Sequence, residues 1–264
     1  DEVIFLDYGG ANVAKELHAG HLRSPNIGEA IKRLCECVGY KTISDVHLGD
    51  WGRPMGLIIC ELSKRYPDLV FFDKEYDKEY PDVCPVSLQE LNEIYPYASS
   101  RAKEDENYLE EARKFTTRLQ NREKGIYDLW KTFYNLSVDE IKRVYNLLGC
   151  TFDLWEGEYD ADPYIKPVLD YLINNNYTEI SNGARIINVK EEEDKREVPP
   201  VILVKSYGGV LYDTTEIATL YSRIKRFKFD RMIYLTDIRQ ELHFIEAFRA
   251  VYKTNIIPKN VKLE

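Results

Sequence analysis

Two histidines, His18 and His21, stand three positions apart where the sequence predicts the start of a helix. Imidazoles at helix positions i and i+3 lie on the same side, where both rings can donate to one phosphate group. Backbone N–H groups at a helix start also favour anions. Gly20 lies between the histidines and would let a nucleotide approach the backbone closely. This stretch therefore predicts a site that stabilises charge on a phosphate.

Two other interpretations of the histidine pair stay open at this point. Both rings can be structural residues beside a helix start, which is the ordinary role of such a pair. A zinc site would need further ligands, and His47 and His243 are distant in sequence, without an H-E-x-x-H pattern. The five cysteines include no C-x-x-C pair and predict reduced, buried thiols. We therefore predict no metal site formed by the protein.

The elements that must position the histidines alternate between strand and helix patterns. An apolar run at residues 3–6 ends in a glycine turn, helical spacing follows over 27–38, and alternation over 41–47 precedes a second helix over 55–66. This order predicts a parallel sheet covered by helices. Ligands bind such sheets beyond the carboxyl ends of the strands, which is where the histidine pair would lie.

The chain as a whole divides into three predicted parts. Residues 1–66 form the first half of an α/β core, residues 67–182 form a mainly helical insertion, and residues 183–264 form the second half of the core. In the last part the apolar patterns predict three strands and two helices, in the order 184–189, 201–205, 215–227, 232–236 and 240–252.

Composition restricts the class of protein. The 264 residues are 44% hydrophobic, enough to fill a core, and the net charge is −9. That charge argues against a surface that coats nucleic acid throughout, although a local basic face remains possible. No apolar run reaches membrane-spanning length and no signal peptide is evident, so we expect a soluble, cytoplasmic protein without a membrane partner. Because the chain opens at Asp1 without a methionine, we also expect a piece of something longer.

Four segments together carry a family resemblance. His18-Ala19-Gly20-His21 is similar to the HIGH signature of class I aminoacyl-tRNA synthetases, and the surrounding residues 12–24 resemble its arginyl-tRNA synthetase form. Three further segments follow in the family's order along nearly the whole chain: H-L-G-D-W-G at 47–52, Y-D-T-T-E-I at 212–217 and R-Q-E-L-H-F at 239–244. The resemblance implies a Rossmann-like parallel-sheet nucleotide-binding core interrupted by a largely helical insertion.

The resemblance implies that ATP and L-arginine are condensed to arginyl-adenylate with release of pyrophosphate, and that the arginyl group then passes to tRNA(Arg). The catalytic residues would be His18 and His21, which hold the triphosphate, and Lys15, since the family often lacks a standard KMSKS lysine. Mg²⁺ would enter only as the counter-ion of ATP. The implied ATP-binding residues are Gly10, His18, Gly20, His21, Asp237 and His243.

The implied arginine site follows from the shape of a guanidinium, which is a planar fork of five donors that is always charged. A selective pocket should present carboxylates in bidentate reach, and Asp7 and Glu216 are the candidates. Asn12 and Gln240 would hold the α-amino or carboxylate end, and Tyr212 would pack against the guanidinium stem. Without the resemblance, the two carboxylates would be interpreted as a loop residue and a helix first-turn residue.

Three departures qualify the resemblance. Residues 9–11 are Gly-Gly-Ala where the family usually has Ser-Ser-Pro or Ser-Ala-Pro, so a hydroxyl is lost, and Glu216 is one methylene longer than the usual aspartate. The chain also stops about where the family continues into its second signature loop and its anticodon-binding domain. We therefore expect a monomeric catalytic core whose tRNA contacts lie mostly in other domains.

Two other functions remain as alternatives. A non-catalytic relative would keep the fold as a binding module, but the presence of Lys15 and both histidines favours an enzyme. A small-molecule nucleotidylyltransferase would share the H-x-G-H motif but would not need the segments at 212–216 and at Gln240.

Overall fold

The computed structural model describes residues 2–205 and 212–264 of the chain, without the side chain of Tyr212. Strands and helices alternate at both ends of the chain, and five consecutive α-helices lie between the second and the third strand. The elements in chain order are β1 Val3–Asp7, α1 Ala19–Cys37, β2 Lys41–Asp45, α2 Arg53–Arg65, α3 Leu88–Glu104, α4 Glu106–Gln120, α5 Lys124–Leu147, α6 Glu158–Asn174, β3 Glu179–Ser181, β4 Ala184–Ile187, β5 Val201–Val204, α7 Tyr212–Arg226, β6 Arg231–Tyr234, α8 Glu241–Lys253 and β7 Lys262–Leu263.

Contacts group the chain into two compact units. Unit 1 comprises residues 1–9, 26–47 and 152–264, and unit 2 comprises residues 10–25 and 48–151. The division at 66 and 182 drawn from the sequence stays a prediction about domains. None of the helices in the described ranges combines the length and the apolar character needed to cross a bilayer.

Unit 1 contains a four-stranded parallel sheet in the order β2-β1-β6-β7. This confirms the parallel sheet predicted from the alternating patterns. The central strand β1 is buried on both faces, as the alternation of its side chains requires. Phe5 lies on one face in a large apolar cluster with Ile217, Leu220 and Val251, and Ile4 belongs with Leu6 and Tyr8 to a second cluster.

A second sheet in unit 1 has the order β3-β4-β5 and is antiparallel. Strands β4 and β5 lie within the two strands predicted at 184–189 and 201–205, and a loop over residues 188–200 joins them. Within the described ranges these strands pair with each other rather than extending the parallel sheet. Antiparallel pairing suits them because the connection contains no crossover helix.

Unit 2 consists mainly of α2, α3, α4 and α5. Each of these helices buries one apolar stripe; on α3 the stripe is Leu91, Ile94 and Ala98, spaced at three and four residues. The helical character of this region agrees with the sequence pattern. The helix that follows the glycine turn begins at Ala19, directly after His18, so the histidine pair does lie at a helix start.

Candidate active site

The rings of His18 and His21 stack on each other at the start of α1. Their centroids are 3.9 Å apart and their planes make an angle of 34°. His18 Nδ1 accepts a hydrogen bond from the backbone N–H of Gly20 at 3.1 Å, and His21 Nδ1 accepts one from the backbone N–H of His18 at 3.2 Å. Both rings are therefore held by main-chain groups of the same turn.

This bonding assigns the protonation of both imidazoles. A neutral imidazole carries one N–H, and because each Nδ1 accepts a hydrogen bond, the proton belongs on Nε2. Burial lowers the pKa of His21, and the neighbouring charges of His18 and Lys15 lower it further. The pair thus offers two Nε2–H donors to a ligand.

Gly20 has a clear packing reason to be glycine. A Cβ at this position would lie 2.9 Å from Cε1 and 3.0 Å from Nδ1 of His18. The backbone N–H of Gly20, which could have bound an anion, instead donates a hydrogen bond to the His18 ring. The anion-binding groups at this helix start are therefore the imidazoles rather than that backbone amide.

Lys15 lies on a loop that is fixed to the helices of unit 2. The preceding residue, Ala14, has a φ of 60°, and its N–H donates to Ser137 Oγ at 2.9 Å. The following residue, Glu16, has its N–H 3.4 Å from Asn92 Oδ1. A cleft of about 200 Å³ opens beside the loop, and its lining includes Lys15, Tyr95, Ser99, Ser100 and Lys103.

Asn12 is held against the segment that carries the second motif. Val13 donates from its N–H to Gly49 O at 3.0 Å, and Gly49 donates to Ala11 O at the same distance. A Cβ on Gly49 would lie 2.2 Å from Asn12 Oδ1, so only glycine leaves room for this side chain. Gly10 differs, since it is exposed and an added Cβ would meet nothing within 4 Å.

In unit 1, three polar residues form a row at the carboxyl ends of adjacent strands. Asp7 of β1 pairs in register with Asp45 of β2 on one side and with Tyr234 of β6 on the other. Asp7 is 8% exposed and Asp45 is fully buried. Burial raises the pKa of Asp7, although the nearby Arg223 guanidinium opposes that rise.

Arg223 of α7 supplies the counter-charge for this row. Its side chain is 1% exposed, with Nη1 2.7 Å from Asp7 Oδ2 and Nη2 2.5 Å from Asp45 Oδ2. The guanidinium carbon lies 4.8 Å from the centroid of the Phe5 ring, within cation–π range. Although burial opposes protonation, the surrounding carboxylates raise the pKa of Arg223 further above its ordinary value.

Glu216 joins the same network from α7. It is 2% exposed, and its Oε1 accepts a hydrogen bond from the Tyr234 hydroxyl at 2.9 Å. That hydroxyl accepts in turn from Arg223 Nη1 at 3.3 Å. The structure thus brings the two candidate arginine carboxylates, Asp7 and Glu216, into one hydrogen-bonded and ion-paired cluster.

The donor set of this cluster also resembles a metal site. Within the described residues, ligand atoms of Asp7, Asp45 and His47 all lie within 4.8 Å of one another. Arg223 nevertheless contacts one oxygen of each aspartate, so a cation already lies between the carboxylates. These residues fit the internal guanidinium rather than Mg²⁺, which prefers octahedral oxygen ligands and retains several waters.

His243 lies near the other end of the cluster. Its Nδ1 is 3.0 Å from Asp213 Oδ1. Burial opposes protonation, but the Asp213 hydrogen bond and the charge of Glu216 outweigh it and raise the pKa of His243. A raised pKa favours the imidazolium form, which suits the predicted contact with a phosphate group.

The remaining predicted residues are at the surface or lie outside the described residues. Asp237 caps a short 3₁₀ turn and pairs with Arg239 at 2.7 Å, and Gln240 Oε1 accepts a hydrogen bond from the Thr236 hydroxyl. Tyr212 begins α7, but its side chain is outside the described residues.

Sequence reasoning missed Arg223, Asp45 and Tyr234. One signal was available for Arg223, because it lies seven residues after Glu216 and therefore on the same face of α7. Asp45 ends a predicted strand, as Asp7 does, and residues that end neighbouring parallel strands meet at one edge of the sheet. The residues that these three side chains contact, however, are distant in sequence, so the pairing itself could not be predicted.

Comparison with known proteins gives the family. The family model described as "tRNA synthetases class I (R), catalytic domain" matches residues 1–264. The arginine--tRNA ligase of Agathobacter rectalis is 48% identical over 98% of this chain and 44% of its own length. The arginine--tRNA ligase of Alkaliphilus oremlandii is 47% identical over 100% of this chain and 45% of its own length.

A solved structure agrees with these relatives. The arginyl-tRNA synthetase of Plasmodium falciparum superimposes with a TM-score of 0.78 and 31% identity, covering 99% of this chain and 42% of that chain. The chain thus spans less than half the length of the relatives that it matches. On the match over its whole length and on these identities, the chain belongs to the family of class I (R) tRNA synthetase catalytic domains.

Proposed function

We propose that this chain is the catalytic core of an arginine--tRNA ligase, which activates L-arginine with ATP and transfers the arginyl group to tRNA(Arg). The observation that carries the proposal is the stacked pair of His18 and His21, held so that both Nε2–H groups are donors. The relatives named above are arginine--tRNA ligases, which supports the same substrates.

In the activation step, a carboxylate oxygen of arginine attacks the α-phosphorus of ATP. A new bond forms between that oxygen and phosphorus, the bond to the bridging oxygen breaks, and pyrophosphate leaves. Charge accumulates on the phosphate oxygens, and donors fixed in advance stabilise it without reorganisation. The Nε2–H groups of His18 and His21 and the ammonium of Lys15 supply those donors. ATP brings Mg²⁺ on its own phosphates.

Amino-acid selectivity comes from the buried carboxylates of unit 1. Glu216 and Asp7 present oxygens that a guanidinium fork can satisfy in plane and that a lysine ammonium cannot. A neutral analogue would leave a buried carboxylate unpaired, which disfavours its binding strongly. Asn12 and Gln240 bind the α-amino or carboxylate end of the substrate, and Tyr212 packs against its stem. Gly10, Asp237 and His243 contribute to ATP binding.

The transfer step involves a larger partner. Because the chain spans about 44% of its relatives, we infer that most tRNA contacts belong to their remaining length. Cytoplasmic location and a monomeric state stay predictions, which imaging of the tagged protein and sedimentation would test.

Aminoacylation by the full-length protein tests the proposal. With ATP and tRNA(Arg), we expect charging with arginine and none with lysine. His18→Ala and His21→Ala should each reduce the rate about a hundredfold or more, the usual effect of removing one transition-state donor. Absence of charging and of arginine-dependent pyrophosphate exchange, both measured with tRNA present, would favour the non-catalytic binding module. Adenylylation of another small molecule would favour the nucleotidylyltransferase.

A further inference from the structure

The carboxylates proposed to bind arginine already hold an arginine of the protein. Arg223 extends from α7 across the carboxyl ends of β1 and β2 and directs one nitrogen to Asp7 and another to Asp45. Its side chain is 1% exposed, so these contacts are made away from water. One oxygen of Asp7 is therefore committed to an internal partner.

Tyr234 connects this ion pair to Glu216 in a fixed direction. A guanidinium only donates and a carboxylate only accepts, so the hydroxyl between them must accept from Arg223 and donate to Glu216. The two distances, 3.3 Å and 2.9 Å, agree with that order. Glu216 Oε1 is thereby fixed, and among the described residues the other oxygen of this carboxylate makes no hydrogen bond.

Charge makes the internal guanidinium necessary. Asp7, Asp45 and Glu216 are all buried; burial and the charges of the other two carboxylates raise the pKa of Asp7, and the Arg223 guanidinium opposes that rise. A protonated carboxyl is a poor partner for a guanidinium. Arg223 offsets one charge, so these four groups retain a net charge of about −2 in their ordinary ionised forms, which a cationic ligand can then reduce.

We propose that Arg223 and Tyr234 are positioning residues for arginine recognition, which hold Asp7 and Glu216 in the orientation in which Glu216 binds the guanidinium of the substrate. The inference rests on the proposed function, because it concerns the amino-acid site of that reaction. It assigns the two carboxylates different tasks, since Asp7 is ion-paired with Arg223 whereas Glu216, within the described part of the chain, is bonded through Oε1 alone.

Removing the Tyr234 hydroxyl tests the hydrogen bonds that connect Arg223 to Glu216, with little change in the shape of the side chain. In the full-length enzyme, Tyr234→Phe should raise the KM for arginine about tenfold, while kcat and the KM for ATP stay within about twofold. Discrimination between arginine and citrulline, its neutral isostere, should fall because Glu216 is less well oriented. Tyr171→Phe is the matched control, since it also loses one tyrosine hydrogen bond, of 2.8 Å to Thr254 O, and should leave the KM unchanged.

Replacing the guanidinium of Arg223 by an ammonium tests its role as the cation that pairs with Asp7 and Asp45. Arg223→Lys keeps the charge but loses the planar fork, and we expect the KM for arginine to rise at least tenfold with a smaller change in kcat. Arg249→Lys is its control, because Arg249 also directs two guanidinium nitrogens to carboxylate oxygens, in this case both oxygens of Asp194. If Arg223→Lys does not fold, Tyr234→Phe alone decides.

The two proposals fail in different ways. A wild-type enzyme that charges arginine, with Tyr234→Phe and the folded Arg223→Lys keeping the wild-type KM and selectivity, would overturn the role of Arg223 and Tyr234 alone. Lower thermal stability without a change in KM would overturn it too, because it would indicate a purely structural role. A wild-type enzyme that does not activate arginine would overturn the proposed function itself.

Discussion

At His18, one ring nitrogen binds the backbone of the first helical turn and leaves the other free to donate. His18 Nδ1 accepts from the N–H of Gly20, and the centroid of the His21 ring lies 3.9 Å from that of His18. The space for this arrangement exists only because Gly20 has no side chain. The orientation of the His18 ring thus requires glycine at position 20.

Gly20→Ala should reduce activity while leaving the protein folded. The new methyl group would lie about 2.9 Å from the His18 ring and would displace it from its hydrogen bond. We expect the rate of arginyl-adenylate formation to fall about tenfold to a hundredfold. The helix itself should gain stability, by up to about 1 kcal/mol, since alanine is the better helix former.

Stopped-flow or pyrophosphate-exchange rates, together with a melting curve, check this prediction. Ala30→Ser changes an exposed position of the same helix and serves as the control. A Gly20→Ala protein with the full wild-type rate would show that the His18 ring orientation is not required.

At the scale of elements, α7 is the helix on which the amino-acid site depends. It carries Glu216 and Arg223 on one face, seven residues apart, and that face lies over the row formed by Asp7, Asp45 and Tyr234. The row exists because parallel strands in register place their last residues side by side. Strand register and helical periodicity together therefore generate the cluster.

The first turn of α6 carries the clearest pH-sensitive group. Burial raises the pKa of Glu158 to about 7; the charge of His47 opposes the rise and that of Glu216 adds to it. Because the folded-state pKa lies above the ordinary 4.5, the favourable contribution is complete below pH 4.5 and is lost as pH rises through about 7. Ionised Glu158 therefore destabilises the fold at alkaline pH.

Glu158→Gln should mimic the protonated carboxyl and remove this dependence. At pH 8 we expect the variant to be more stable than wild type by about 2 kcal/mol, a rise of several degrees in Tm, and at pH 4.5 we expect equal stability. Thermal unfolding at the two pH values measures it. Glu140→Gln, which changes a partly exposed glutamate whose pKa the hydrogen bond from Arg143 lowers, should not gain stability at pH 8. Equal shifts of Tm at both pH values would rule out titration of Glu158 as the cause.

For the molecule as a whole, the order of strands and helices was accessible from sequence because it depends on local periodicity. The parallel arrangement of β1 and β2 around α1 followed from it. Helix α6 was harder to predict, because Pro163 and Pro167 lie inside it and proline normally interrupts a helix. The separate antiparallel sheet was also missed, since the pattern of a short strand does not reveal its partner.

Only part of the candidate site could be predicted from the sequence, because a local pattern does not reveal contacts between distant residues. The motif residues His18, His21 and Glu216 are recognisable locally. The ion pair between Arg223 and Asp45 joins residues 178 positions apart, and no local pattern predicts it. The structure adds the internal guanidinium to the two carboxylates that the sequence proposed.

The most direct test of arginine recognition is calorimetric titration of the full-length protein with a non-hydrolysable arginyl-adenylate analogue. Wild type should bind the analogue at one site, and Asp7→Ala and Glu216→Ala should each lose about thirtyfold or more in affinity, since each removes a buried charge partner. No binding by wild type, or equal binding by wild type and both variants, would contradict it.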